Sequence, residues 1–149
     1  MGAPYYGAYA ATAALAGGSY ITALDNGTSS DGVYVIYDSA KVPIKVLLYN
    51  SVFYNGSGSR STHTFELTGL LSGTGGIGDV AVKSKRLTAP SANSRVDQGE
   101  NPTFGGQTFA NVTCAIDGTE TFESTNVTAG VATFSVGDSE ALLVYLDSS

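Results

Sequence analysis

From Gly18 onward the chain is a run of short apolar segments, rich in β-branched and aromatic residues, each cut off by a turn signal. The segments are Val33 to Tyr37, Ile44 to Phe53, Thr62 to Leu70, Val80 to Leu87, Thr103 to Phe109, Val131 to Val136 and Ala141 to Leu146. Between them stand Asp25-Asn26-Gly27, Asp31-Gly32, Asn55-Gly56, Gly73 to Gly78, Asp117-Gly118, Ala129-Gly130 and Gly137-Asp138. Short strands punctuated in this way specify an all-β, antiparallel sandwich of about seven to nine strands. One helix precedes them: Pro4 suits a first turn, Tyr5 to Leu15 is alanine-rich, and Gly17-Gly18 is the stop. Residues 1–18 then form an orphan helix and residues 19–149 the sandwich domain.

Two patterns imply a layer beyond a two-sheet sandwich. The helix has no charged residue on any face, which predicts burial all round, yet it is too short to stand alone in water. Thr62 to Leu67 alternates as a strand with one wet face should. Val33 to Tyr37 and Leu142 to Leu146 are apolar on both faces and therefore call for cover on both. The helix covers part, and the remainder points to a neighbour. An isolated chain is expected to self-associate there.

Charge narrows the partners. Only 13% of residues are charged and the net charge is −6, so neither nucleic acid nor an anionic membrane is an expected partner. No run is long and apolar enough for a membrane helix. Four of the seven asparagines, Asn26, Asn55, Asn111 and Asn126, are N-glycosylation acceptors in Asn-X-Ser/Thr, which points to an extracellular, secreted protein. The apolar stretch near the N-terminus lacks a basic flank, since the first cation is Lys41, so a secretion signal is expected upstream. The single Cys114, in Val112 to Ile116, is expected to be a small buried thiol.

Catalytic patterns are weak. Glu120 and Glu123, the closest acidic pair, would face opposite ways on one strand, and Glu66 with Glu140 is a distant pairing with nothing to single it out. His63, the only histidine, shares a strand face with Phe65 and Leu67, where packing or a hydrogen bond is the ordinary role. Gly73 to Gly78 spells G-x-G-x-x-G, but a strand follows it rather than a helix. No cofactor or metal is expected, and no catalytic residue is assigned. The nine tyrosines could line a sugar platform, but most lie inside strand or helix patterns, which favours packing.

The ordered motifs resemble one family. Pro4-Tyr5-Tyr6-Gly7 before the alanine-rich helix is similar to the last barrel helix of family 79 glycoside hydrolases, the β-glucuronidase and heparanase-related group. Val33 to Asp38 and Lys45 to Asn50 resemble the first long strands of that family's C-terminal β-domain. The most specific segments are Lys85-Arg86-Leu87-Thr88-Ala89-Pro90 and Gly105-Gly106-Gln107-Thr108-Phe109, followed by the closing strand Ser139 to Leu146. The resemblance implies a non-catalytic accessory domain of a secreted enzyme that cleaves β-glucuronosyl linkages with retention. Its two catalytic glutamates would lie in a (β/α)₈ barrel, the expected partner, through which a glucuronosylated polysaccharide or proteoglycan glycan would be met. The alternative is a free-standing, lectin-like carbohydrate-binding module, which would expose its aromatics in a row.

Overall fold

The computed structural model describes residues 4–25, 27–70, 81–110 and 112–146, with side chains of the helix from Tyr9 onward. The helix, α1, spans Pro4–Leu15. The strands are β1 Tyr20–Ala23, β2 Asp31–Tyr37, β3 Pro43–Asn50, β4 Thr62–Leu67, β5 Ala81–Thr88, β6 Thr103–Phe104, β7 Thr108–Phe109, β8 Ile116–Asp117, β9 Glu123–Asn126, β10 Ala132–Gly137 and β11 Glu140–Tyr145. The chain is an all-β sandwich with one short helix.

The main sheet has the order β1-β2-β3-β11-β5-β6, with β9 also paired to β5, and all of its pairings are antiparallel. Strands β10 and β4 form the second sheet, and β7 with β8 a separate hairpin. Closing strand β11 is inserted between β3 and β5, with Leu142 opposite both Leu48 and Arg86.

Successive residues of β11 enter different cores, as strand geometry requires. Leu142 and Val144 face the second sheet and meet Val35, Val46, Leu48, Val82, Phe134 and Val136. Leu143 faces the other way and packs with Phe104 and Ala14 under α1. The molecule therefore has three layers: the β10–β4 sheet, the main sheet, and the helix. This is why the strands that are apolar on both faces sit in the main sheet, whereas β4 alternates exposed and half-buried.

Several expectations need correction. Cys114 is exposed, not buried. It lies in the turn that joins β7 to β8, with φ 61°, and its N–H bonds the Ala110 carbonyl at 2.9 Å. The same turn leaves Val112 at 92% exposure. The expected strand Thr103 to Phe109 is split into β6 and β7, because Gly105 and Gly106 take φ of 55° and 77° and turn the chain. The segments expected to reach Phe53 and Leu70 form strands only as far as Asn50 and Leu67. Within this chain α1 has cover on one side, as expected of a helix that needs a further neighbour: Ala14 is buried, whereas Ala11, Thr12 and Leu15, and Ala16 just past its end, are exposed. The G-x-G-x-x-G segment, Asn26 and Asn111 lie outside the described residues.

Candidate functional site

The feature that distinguishes this sandwich is the helix-bearing face of the main sheet. Alanines at 10, 13 and 14 let α1 lie close on Leu47, Leu87, Leu143, Tyr145 and Phe104. Gly17, at φ 77°, ends the helix in the left-handed conformation, and the Gly18 N–H bonds the Leu15 carbonyl at 2.9 Å.

Two buried lysines project from the sheet into this layer. Lys45 on β3 donates from Nζ to the carbonyls of Ala13 (2.9 Å) and Ala16 (2.7 Å). A cation is favourable there, because the last carbonyls of a helix carry its negative dipole end. Lys85 on β5 lies with its Nζ 4.3 Å from the Phe104 ring centre, 5.9 Å from that of Tyr9 and 5.8 Å from that of Phe122. Its charge is matched by Glu120 at 2.7 Å. Tyr9 meets Phe104 and Phe109 edge to face at 5.7 and 5.4 Å, and Phe122 meets Tyr145 at 5.8 Å.

Cover on this face is incomplete. Between Ala11 and Leu15 the outer side of α1 is exposed and uncharged, and exposed Ile21, Ile116 and Phe122 add further apolar surface. A cavity of about 140 Å³ remains between α1 and the sheet, lined by Ala10, Leu47, Leu87 and Phe104. It shares Leu87 and Ala141 with a larger groove of about 400 Å³, whose wall includes Ala89, Ala92 and Pro102. The groove's polar members bond within the protein. Thr88 donates to Glu140 at 2.6 Å, Ser139 to the Val52 carbonyl at 2.9 Å, and Ser51 to the Ser30 carbonyl at 2.8 Å. What the face offers a partner is mainly apolar surface.

The carboxylates singled out in the sequence are held by cations. Glu120 and Glu123 go to opposite faces, because their partners Lys85 and Arg86 are consecutive on β5, although Glu120 itself lies just outside β9. Arg86 binds Glu123 at 2.7 Å and Glu140 at 2.8 Å. Arg60 reaches Glu140 at 2.6 Å and stacks on Tyr54 at 4.4 Å. Burial alone would raise the Glu140 carboxyl, but Thr88, the Gly137 N–H, Arg86 and Arg60 together hold it below its ordinary value. Glu66 is exposed on β4, away from this network. His63 does share the inward side of β4 with Phe65 and Leu67, and its Nδ1 lies 2.6 Å from Asp31 Oδ1. The described residues contain no group of three or more candidate metal ligands. Asn55 and Asn126 are both exposed.

Sequence reasoning did not find Lys45 or Lys85. The signal was present: a lysine inside an otherwise apolar strand must either snorkel to water or find a partner.

Comparison with known proteins bears on the family and the fold. A family profile described as the glycosyl hydrolase family 79 C-terminal beta domain matches residues 33–143. The chain is similar to a solved 4-O-α-L-rhamnosyl-β-D-glucuronidase from Fusarium oxysporum, crystallised as a Rha-GlcA complex. The two are 52% identical with a TM-score of 0.88, over 97% of this chain and 30% of that one. No curated protein matches.

Proposed function

The chain belongs to the C-terminal β domains of glycosyl hydrolase family 79, and from that premise we propose that it is a non-catalytic accessory domain of a secreted, β-glucuronidase-like hydrolase. Its helix-bearing face packs against, and thereby stabilises, a catalytic (β/α)₈ barrel. The observation that carries this reading is an uncharged helix whose residues from Tyr9 on are covered on one side only, together with exposed Leu15, Ile21, Ile116 and Phe122. Apolar area of that kind is stabilising only when covered, at about 25 cal/mol per Å². The share of the relative that the chain spans, 30%, leaves ample length elsewhere for a barrel of about 250 residues.

The sugar-module alternative finds no specific support, because Phe104, Phe109 and Tyr145 are engaged in packing, the first two against Tyr9 of α1. The test pairs calorimetric titration with glucuronic acid and glucuronosylated oligosaccharides with an assay on a chromogenic β-glucuronide. The accessory reading predicts no heat and no turnover from the chain alone. It also predicts co-purification with the barrel segment of a family member expressed beside it. Saturable sugar binding would favour a module, and turnover would overturn the reading.

A further inference from the structure

Phe53 is 62% exposed and belongs to neither apolar cluster. Two residues later comes Asn55, in the acceptor triplet Asn55-Gly56-Ser57. The stretch from Ser51 to Asn55 alternates in exposure: 51, 53 and 55 face water, while 52 and 54 turn inward. Side chains two apart on an extended chain share a side, so Phe53 and Asn55 project into solvent together.

The segment is held in that form. Val52 N–H bonds Asn50 Oδ1 at 3.0 Å, Ser139 Oγ donates to the Val52 carbonyl, and the same oxygen accepts from the Tyr54 N–H at 3.0 Å. Ala92 N–H bonds the Tyr54 carbonyl at 2.8 Å, and the Tyr54 ring lies against Arg60. Asn55 Oδ1 accepts from the Ser57 N–H at 2.9 Å. Its Nδ2 makes no hydrogen bond among the described residues, so the atom that would be modified is free.

We propose that Asn55 carries an N-linked glycan whose first N-acetylglucosamine lies over the Phe53 ring. The step joins Asn55 Nδ2 to C1 of that sugar in a lipid-diphosphate-linked oligosaccharide. The C1–O bond to the diphosphate breaks, the lipid diphosphate departs, and the amide proton passes to a base of the cellular transferase. A pyranose has an apolar C–H face, and an exposed aromatic ring beside its attachment point offers it a place to shed water. This inference rests on the secretory reading above.

The chain is secreted from a eukaryotic host behind an added leader, so entry to the pathway is supplied and an unmodified Asn55 counts against this site alone. Peptide mapping is expected to find Asn55 occupied. Trimming the glycan to its single first sugar should leave Tm unchanged. S57A keeps Asn55 and the Ser57 N–H but removes the hydroxyl that glycan transfer requires, and it should melt about 2–4 °C lower. Adding F53A to both forms should erase that difference. An unmodified Asn55, equal melting of the single-sugar and S57A forms, or a difference that survives F53A would each overturn the proposal.

Discussion

Lys45 Nζ lies 2.7 Å from the carbonyl oxygen of Ala16 and donates to it, so a lysine of the main sheet closes the C-terminal end of the helix laid over that sheet. The lysine is buried, at 7% exposure. Its partners are the carbonyls a helix end leaves unsatisfied, so charge and cap satisfy each other.

K45M keeps most of the stem and removes the donor. It should cost about 1–3 kcal/mol, the range for a hydrogen bond to a charged group plus a stranded acceptor. The loss should be concentrated in α1. Urea unfolding measures the total, and hydrogen exchange should show α1 amides losing protection while β3 and β11 keep theirs.

Leu142 and Leu143, both 1% exposed, sit on opposite faces of β11. Replacing either by Ala should cost about 2–5 kcal/mol in denaturant unfolding. Only L143A, which empties the layer beneath the helix, should weaken α1 protection before global unfolding. Equal exchange profiles for the two variants would contradict the three-layer packing.

Glu140 predicts an acid response. Its folded pKa lies below its ordinary value, so the unfolded chain takes up the proton first as the pH falls. The stability it contributes is complete above the ordinary carboxylate range. That stability is lost as pH falls from about 5 down through the folded value. E140Q should therefore be less stable than the parent near pH 7, by about 1–3 kcal/mol given its two guanidinium partners. The two should converge in melting temperature at the acid end.

The exposed apolar set around α1 predicts association of the isolated chain. Light scattering at rising concentration should show a growing apparent mass, and L15E with F122E should reduce it. A monodisperse parent at high concentration would mean that this face is stable in water and would remove the main reason for placing a barrel against it.

How much was legible follows from where each residue's information lies. Strands β2, β3, β10 and β11 could be read directly, because their apolar β-branched and aromatic residues carry the preference locally. Strand β9, Glu-Ser-Thr-Asn, could not: it is polar and forms through its pairing with β5. Strand β1 is exposed along its whole length and exists through its pairing with β2. The Cys114 turn was misread because an apolar run looks the same whether it enters a core or caps a hairpin.

The sequence by itself determined the class of fold, the position and ends of the helix, and the need for cover on both faces of the central strands. These follow from side-chain alternation, turn residues and the absence of charge, all short-range properties. Only the tertiary structure decided that β11 lies between β3 and β5, that Lys45 caps the helix and Lys85 enters an aromatic cluster, and that the helix keeps an open apolar side. Those outcomes depend on which distant segments meet, and local propensity carries no record of that.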